Sequence, residues 1–218
     1  TNPTLAPYAK EGEVELRITA KAPVEAQARD LIAPVEAELR ALLGDVVYGA
    51  DVPSIQAVAF ALLEAQGLTL GAAESCTGGL VAKCITDLPG ASGVFKGGVV
   101  SYTNEVKHGV LGVPRELLDQ FGAVSPQVAE AMARGARRVL GADLAVSTTG
   151  VAGPGPDGDK PAGLVYVGLR IPASLTPDHA EVLKAVELHL DGMREEIRRL
   201  TVFHVLQNLS LFTASFKE

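Results

Sequence analysis

The stretch that most constrains the fold is a buried-strand pattern that runs through a glycine turn into a helix pattern. Residues 68–73 are mostly apolar or small, as in a strand covered on both faces. After the turn at 74–79, apolar residues recur at helical spacing up to a Pro-Gly pair: Leu80, Val81, Cys84, Ile85 and Leu88. This order of strand, turn and helix is typical of α/β proteins.

Further strand and helix patterns alternate along the chain. Ser125 and Pro126 form an N-cap and first-turn pair, which predicts a helix that ends at Gly141. A long amphipathic helix is expected from about Arg194. Additional strands are predicted at 97–103, 144–147, 164–171 and 184–190. We therefore expect a layered α/β/α fold for residues 51–218.

Residues 1–50 form a separate pattern. Alternating apolar and charged residues predict a strand at 13–20, and helical spacing of apolar residues predicts a helix from Pro23 to Gly44. A second short strand is expected at 45–48. The predicted order is strand, helix, strand, with Pro34 as a candidate kink in the helix.

Composition and charge restrict the class of protein. The 218 residues carry a formal net charge of −7, which disfavours a broad contact with nucleic-acid phosphates. No apolar run approaches the roughly 20 residues needed to cross a bilayer. With two cysteines and no secretory signal pattern, we expect a cytoplasmic protein without a membrane partner. The chain begins at Thr1 rather than Met, which we interpret as a processed or truncated form.

The turn after the buried strand reads Ser75-Cys76-Thr77-Gly78-Gly79 and allows two interpretations. In the first, Ser75 only caps the following helix. In the second, the amides of Gly78 and Gly79 bind an anion or an oxyanion, because the first amides of a helix lack intrahelical partners. A serine nucleophile needs a base, and the four histidines show no recognisable triad signature.

A lysine can replace histidine as the base when burial lowers its pKa. Lys107 and Tyr102 follow the next predicted strand, and adjacent parallel strands would bring them near Ser75. The simpler interpretation of the two residues, an exposed helix lysine and a core tyrosine, stays open. Cys76 is a rival nucleophile, although a buried cysteine at a helix start is usually inert. No residues have metal-ligand spacing, so no metal site is expected.

A loop at 150–159 is dominated by glycine and proline and joins two predicted strands. Such a composition excludes regular secondary structure. Because loops at strand ends of α/β proteins usually border ligands, we expect this loop to flank or cover a binding site.

Four motifs together resemble the CinA C-terminal domain, also known as the nicotinamide mononucleotide deamidase family. They are Glu-Ser-Cys-Thr-Gly-Gly at 74–79, Tyr-x-Asn-x-x-Lys at 102–107, Gly-Ala-Val-Ser at 122–125 and Gly-x-Ala-Gly-Pro at 150–154. The resemblance runs from about residue 51 to the end, and residues 1–50 resemble the KH-type linker domain of full-length CinA. The molybdopterin-binding-like domain of such proteins has no counterpart in this sequence, so its ADP-ribose pyrophosphatase activity is not expected.

The resemblance implies hydrolysis of nicotinamide mononucleotide to nicotinic acid mononucleotide and ammonia, without a metal or an organic cofactor. Ser75 matches the family's nucleophile, Lys107 its general base and Tyr102 its third catalytic residue. The matching positions beside the substrate are Thr77, Gly78, Gly79, Thr149, Gly150, Ala152, Gly153 and Arg194. Family members often have Gly-Asp-Arg where this chain reads Gly192-Met193-Arg194, which puts the usual partner of Arg194 in doubt. The expected partners are this small-molecule substrate and further copies of the chain.

Two other classes of function stay open. The resemblance to a KH module suggests RNA binding, but KH modules clamp nucleic acid with a Gly-x-x-Gly loop. Residues 1–50 contain no such loop and are rich in glutamate. A non-catalytic role linked to competence or DNA damage would be favoured if a catalytic position were lost, whereas Ser75, Tyr102 and Lys107 are all present.

Overall fold

The structure is a computed structural model, and it describes residues 1–10, 12–176 and 179–214. Backbone contacts divide the chain into two compact units, Thr1–Asp51 and Val52–Glu218. None of the helices in the described ranges combines the length and the apolar character that crossing a bilayer requires.

The first unit contains two antiparallel strands followed by a long helix. Strand β1 (Thr4–Lys10) pairs along its whole length with β2 (Glu13–Thr19). Helix α1 (Glu25–Leu43) follows and continues through Pro34. The order is therefore strand, strand, helix, and the predicted order of strand, helix, strand is wrong.

Two local features explain this difference. Gly44 ends α1 with a positive φ of 57°, and Gly44–Val46 continue as a short 3-10 turn, so the strand expected at 45–48 does not form. The sequence pattern also missed β1, which contains Pro7 opposite Leu16. Proline lacks an amide donor and is confined to strand edges, and each strand of a two-stranded sheet has a free edge that tolerates it.

The second unit is built on one five-stranded sheet. Its strands are β3 (Leu70–Glu74), β4 (Phe95–Val100), β5 (Leu144–Gly150), β6 (Leu164–Ile171) and β7 (Val182–His189). The order across the sheet is β4-β3-β5-β6-β7. The first three strands in this order are parallel, whereas β6 and β7 are added antiparallel. Every residue of β3 is buried, as its apolar pattern predicts.

Helices cover both faces of this sheet. They are α2 (Ile55–Ala65), α3 (Leu80–Thr86), α4 (Asn104–Gly109), α5 (Arg115–Phe121), α6 (Pro126–Leu140) and α7 (Arg194–Ala214). The two faces of β6 show the layers: Val165 shares a buried cluster with Ile197 of α7, whereas Gly168 faces α6. A side chain at Gly168 would overlap the carbonyl oxygen of Ala129, so only glycine allows α6 to pack this closely. The predicted α/β/α layering is confirmed.

The helix signals at Ser125 and Arg194 are also confirmed. The Ser125 hydroxyl accepts a hydrogen bond from the Val128 amide at 3.4 Å, and Pro126 occupies the first turn. Gly141 ends α6 in the left-handed conformation. Helix α7 begins at Arg194, the residue at which the amphipathic pattern starts. Both ends of α6 are thus set by the residues that the sequence pattern indicated.

Candidate active site

Three parallel strands end at the same edge of the sheet and place candidate residues there. Ser75 directly follows β3, Ser101 and Tyr102 follow β4, and Gly150 is the last residue of β5. Helix α4 begins close by, and the Thr103 hydroxyl accepts a hydrogen bond from its first turn. Carboxyl ends of parallel strands are the usual ligand sites of α/β proteins.

Lys107 and Ser75 form the central contact of this edge. Lys107 Nζ lies 3.0 Å from Ser75 Oγ and 2.8 Å from the carbonyl oxygen of Ser101. Lys107 is 1% exposed, and burial lowers its pKa because the charged ammonium loses its hydration. A neutral amine beside a serine hydroxyl is able to accept the serine proton. The interpretation of Lys107 as an exposed helix lysine is therefore wrong.

Glu74 organises the turn that carries Ser75. Its carboxylate is 1% exposed and accepts hydrogen bonds from the Thr77 hydroxyl and from the amides of Gly79, Val81 and Ala82, at 2.7 to 3.0 Å. The start of α3 is thus capped by Glu74, with Gly79 as the N-cap residue. The interpretation of Ser75 as the helix cap is wrong, which leaves its hydroxyl available for Lys107.

The oxyanion role predicted for Gly78 and Gly79 does not fit this turn. The Gly79 amide donates to Glu74, and the Gly78 amide donates to the Ser75 carbonyl oxygen at 3.1 Å. Both donors are therefore used inside the protein, and this prediction is wrong. By contrast, the amides of Cys76 and Thr77 donate to no oxygen atom of the described residues. Both amides interact with the Cys76 thiol instead, a weak acceptor that an incoming oxygen could replace.

Several positions predicted to lie beside the substrate are occupied with internal contacts. The Thr77 hydroxyl bonds to Glu74 and to the Thr148 hydroxyl, both at 2.7 Å. The Thr149 hydroxyl donates to the carbonyl oxygen of Ala123 at 2.7 Å. Both threonines are at most 1% exposed. Their side chains hold the sheet edge together, which does not favour direct contact with a substrate.

The start of the glycine-rich loop is also packed rather than open. A side chain at Gly150 would collide with the backbone of Leu164 and Val165, so glycine is needed for the close approach of β5 and β6. Ala152 is 4% exposed and packs with Cys76. Further along the loop, Lys160 Nζ donates to the carbonyl oxygen of Phe121 at 3.0 Å and to that of Val124. The loop does flank the site, but Gly150 and Ala152 serve its packing.

Tyr102 and Arg194 meet on the exposed side of the site. Arg194 Nη2 donates to the Tyr102 hydroxyl at 3.0 Å, and Nη1 donates to the Gly153 carbonyl oxygen at 2.8 Å. Tyr102 is 57% exposed, so its interpretation as a core aromatic is wrong, and no hydrogen bond of the described residues joins its hydroxyl to Ser75 or Lys107. Arg194 is therefore held by a hydroxyl and a carbonyl oxygen, although an aspartate is absent at position 193.

Arg198 is a site residue that the sequence pattern did not reveal. Its Nε donates to the carbonyl oxygen of Cys76 at 3.2 Å, and its Nη2 donates to that of Thr77 at 2.8 Å. The guanidinium group thus fixes the carbonyl groups of the two residues that follow Ser75. Its position four residues after Arg194 on a predicted helix was the available signal, because residues at that spacing share one face.

The rival reactive groups are poorly placed. Burial raises the pKa of the Cys76 thiol to about 11, which keeps it protonated near neutral pH and disfavours it as a nucleophile. The Glu74 carboxylate is occupied with the start of α3. His108 Nδ1 lies 2.9 Å from the carbonyl oxygen of Val113, within its own region of the fold. Ser75 and Lys107 remain the pair whose geometry allows chemistry.

The fold and the site define an α/β domain in which a buried lysine contacts a partly buried serine at a parallel sheet edge. The family model of the CinA C-terminal domain matches residues 53–212, and that of the damage-inducible protein CinA KH domain matches residues 1–49. The chain belongs to the CinA family.

Known relatives share this family. The chain is 45% identical over 210 residues to a CinA-like protein of Dictyoglomus thermophilum, which covers 96% of this chain and 49% of the relative. A CinA-like protein of Dictyoglomus turgidum is 46% identical over 210 residues, with the same two coverages of 96% and 49%. The chain thus spans about half the length of these relatives.

Solved structures of the family share the fold. The competence/damage inducible protein CihA from Agrobacterium tumefaciens has a TM-score of 0.66 and 38% identity, covering 75% of this chain and 99% of that one. A competence-damaged protein (CinA) superfamily protein from Klebsiella pneumoniae has a TM-score of 0.67 and 28% identity, covering 73% and 96%. These names refer to competence and damage and do not state a reaction.

Proposed function

We propose that the chain hydrolyses the carboxamide of nicotinamide mononucleotide, giving nicotinic acid mononucleotide and ammonia. The observation that carries this proposal is the contact of 3.0 Å between the buried Lys107 Nζ and Ser75 Oγ. The motifs around the two residues resemble the deamidase family, and the substrate is taken from that resemblance. The reaction needs a nucleophile, a base and water, so the proposal includes no cofactor.

In the first half of the reaction, Ser75 Oγ attacks the amide carbon while neutral Lys107 accepts the hydroxyl proton. The carbonyl oxygen becomes an oxyanion. The Cys76 amide is the donor that we assign to it, because the residue after a nucleophile on a strand-to-helix turn commonly stabilises this charge. Lys107 then passes its proton to the amide nitrogen, the C–N bond breaks, and ammonia leaves an acyl ester on Ser75.

In the second half, water attacks the ester carbonyl and gives a proton to Lys107. The ester C–O bond breaks, the proton returns to Ser75 Oγ, and the product leaves as the carboxylic acid. The positively charged pyridinium ring of the substrate supports this cycle, since a nearby positive charge disfavours the ammonium form of Lys107. The base therefore stays neutral before each attack.

We assign Tyr102 and Arg194 to substrate positioning rather than to proton transfer. The Tyr102 hydroxyl already accepts a hydrogen bond from Arg194 at 3.0 Å, on the exposed side of the site. Arg194 in turn contacts the Gly153 carbonyl oxygen. The two side chains thus connect the ends of β4 and β5, where a substrate would have to enter.

The test is ammonia release from nicotinamide mononucleotide by the purified chain, with nicotinic acid mononucleotide as the substrate that lacks the amide. We expect ammonia from the amide alone, and none from the Ser75→Ala variant. A folded protein that releases no ammonia above background would set the proposal aside and favour a non-catalytic role.

A further inference from the structure

Ser101, the residue that follows β4, has a hydroxyl group that the proposed reaction leaves unused. The residue is fully buried, and its Oγ has no hydrogen-bond partner within the part of the chain that the structure describes. The backbone of Ser101 is bonded on both sides: its amide donates to the Glu74 carbonyl oxygen, and its carbonyl oxygen accepts from Lys107 Nζ, both at 2.8 Å. A buried polar atom without a partner is costly and requires an explanation.

The amine of Lys107 has a matching deficit when it carries a proton. An ammonium group has three N–H donors and no acceptor. Among the described residues, two oxygen atoms accept from Lys107 Nζ: Ser75 Oγ at 3.0 Å and the Ser101 carbonyl oxygen at 2.8 Å. The third N–H of the ammonium therefore has no acceptor in this arrangement.

The unpaired hydroxyl and the amine lie at the same residue. The carbonyl oxygen that holds Lys107 Nζ and the unpaired Oγ both belong to Ser101, so a short covalent path separates them. The serine χ1 has three staggered rotamers, and rotation about this one bond turns the oxygen toward or away from the amine. We infer that Ser101 is a positioning residue of the base, whose hydroxyl accepts the third N–H of Lys107 once the amine has taken the proton from Ser75. The place of this contact in the reaction rests on the proposed function, whereas the hydrogen bond itself does not.

This hydrogen bond acts mainly on the protonated base. A hydrogen bond from an ionised donor is about twice as strong as one from a neutral donor. The Ser101 hydroxyl therefore favours the ammonium form over the neutral amine and stabilises the state in which the proton has left Ser75. It partly offsets the lost hydration that lowers the pKa of Lys107, and it keeps the amine basic enough to take the proton.

Few other groups of the described residues act on the charge of Lys107. Cys76 is the ionisable neighbour that affects it, and burial raises the pKa of that thiol to about 11, so the thiol is neutral where the amine titrates. The other titratable groups on the surrounding elements bond to different partners: Glu74, Tyr102, Glu105, His108, Arg194 and Arg198. A change in the pKa of Lys107 on substitution of Ser101 can therefore be attributed to the hydroxyl.

The direct test is an NMR titration of the Lys107 side chain, which requires no turnover. Ser101→Ala should lower the pKa of Lys107 by about one unit, because the ammonium loses an acceptor. Ser101→Thr keeps a hydroxyl and should restore the wild-type value. Ser147→Ala is the matched control, because that buried strand serine donates to the Ala129 carbonyl oxygen at 2.6 Å, and its loss should leave the pKa of Lys107 unchanged.

The pH profile of ammonia release connects the hydroxyl to the reaction. Above the pKa of Lys107 the resting base is neutral, so Ser101→Ala should lower turnover about tenfold, the factor that corresponds to one pKa unit. Below this pKa the resting base is already an ammonium, the hydrogen bond is present in the resting enzyme and in the transition state, and the two profiles should converge. A serine that only supports the fold would change turnover by the same factor at every pH.

The outcomes separate this inference from the proposed function. Ser101→Ala should stay folded, since alanine removes a buried hydroxyl that has no partner to lose. An unchanged pKa of Lys107 in this variant, or a loss of turnover that is uniform across pH, would overturn the role of Ser101 while the proposed function stands. If the wild-type chain released no ammonia, the proposed function would fail, and a lowered pKa confined to Ser101→Ala would still support the hydrogen bond.

Discussion

The turn after β3 and the surface around Tyr102 lie at the same edge of the sheet, yet they differ in burial and in bonding. Glu74, Thr77 and Lys107 are at most 1% exposed, and their polar groups are paired inside the protein. Tyr102 is 57% exposed and bonds to an exposed arginine, Arg194. The buried region is held by packing and by internal hydrogen bonds, whereas the exposed pair is held by hydrogen bonds for which solvent competes.

Burial of Lys107 favours its neutral form. An ammonium group at the position of Lys107 would lose its hydration without gaining a carboxylate partner among the described residues. The neutral amine avoids most of this cost. Folding therefore favours the protonation state that the proposed chemistry requires, whereas the role that we propose for the exposed region is recognition. We therefore expect substitutions in the buried region to change activity more than substitutions in the exposed region.

The largest effect is expected for Ser75→Ala. Loss of the nucleophile should reduce amide hydrolysis at least about a thousandfold. Stability should change little, because Glu74 rather than Ser75 caps α3. Ammonia release and thermal unfolding are measured together, with Cys76→Ala as the neighbouring control that keeps its backbone amide. Near-normal turnover by Ser75→Ala would contradict the assignment of Ser75 as the nucleophile, and Cys76 would then be the next candidate.

Lys107→Arg should lower turnover about 100- to 10,000-fold, the usual contribution of a general base. Arginine keeps the positive charge but cannot release its proton near neutral pH. Lys96→Arg, on the exposed side of β4, is the matched control and should be active. Robust turnover by Lys107→Arg would reduce Lys107 to an electrostatic or structural contact.

The lowered pKa of Lys107 also predicts how the protein responds to pH. Activity should rise with pH through this lowered pKa, because only the neutral amine accepts a proton. Between the lowered value and the ordinary value of 10.5, the unfolded chain binds the proton that the folded chain has released. The folded state therefore gains stability as pH rises through this window and loses it as pH falls.

Lys107→Met isolates the stability effect, since methionine has a similar shape and no charge. Urea unfolding is measured at several pH values. The free energy of unfolding of the wild-type chain should increase relative to that of Lys107→Met as pH rises. A stability difference that is flat across the window would mean that the pKa of Lys107 is the same in the folded and unfolded chains.

Glu74→Gln tests how much the Glu74 carboxylate stabilises the turn that carries Ser75. Glutamine has one acceptor oxygen where the carboxylate has two, so its NH2 group would face at least one of the amides that now bond to Glu74, which should cost about 3 kcal/mol in the free energy of unfolding. Glu64→Gln on exposed α2 surface should be neutral. Chemical denaturation of both variants provides the measurement. An unchanged stability in Glu74→Gln would show that solvent or another group can cap α3.

The sequence indicated Ser75 and Lys107 as candidates, through neighbouring predicted strands and the family resemblance, but it did not indicate the residues that hold them in place. Parallel neighbouring strands place Ser75 and Lys107 together once the strand order is guessed, and periodicity alone suggests those strands. By contrast, Arg198 reaches carbonyl oxygens 121 and 122 positions earlier. The occupied amides of Gly78 and Gly79 depend on where the Glu74 side chain points. Contacts between groups that lie far apart in the chain, or that depend on a side-chain rotamer, leave no periodic pattern in the sequence.

The smallest effect is expected for Tyr102→Phe, and it separates the exposed region from the buried one most sharply. The resemblance to the deamidase family implies a catalytic tyrosine, whereas the observed hydroxyl bonds to Arg194 on the surface. The donor is a charged guanidinium, but solvent competes for it at this exposed position, so losing the hydrogen bond should cost about 0.5–1.5 kcal/mol, or roughly 2- to 12-fold in kcat/KM.

This loss should appear mainly in KM, because an arginine that has lost one of its two anchors positions the substrate less well while the buried base is untouched. Steady-state kinetics of Tyr102→Phe beside Lys107→Arg provides the comparison, with Tyr166→Phe as a control on β6, where the hydroxyl donates to Glu187. If Tyr102→Phe instead lowered kcat as far as Lys107→Arg does, the tyrosine would have to move toward Ser75 during turnover. The exposed region would then belong to the catalytic machinery, and the division between a buried base and a surface for recognition would fail.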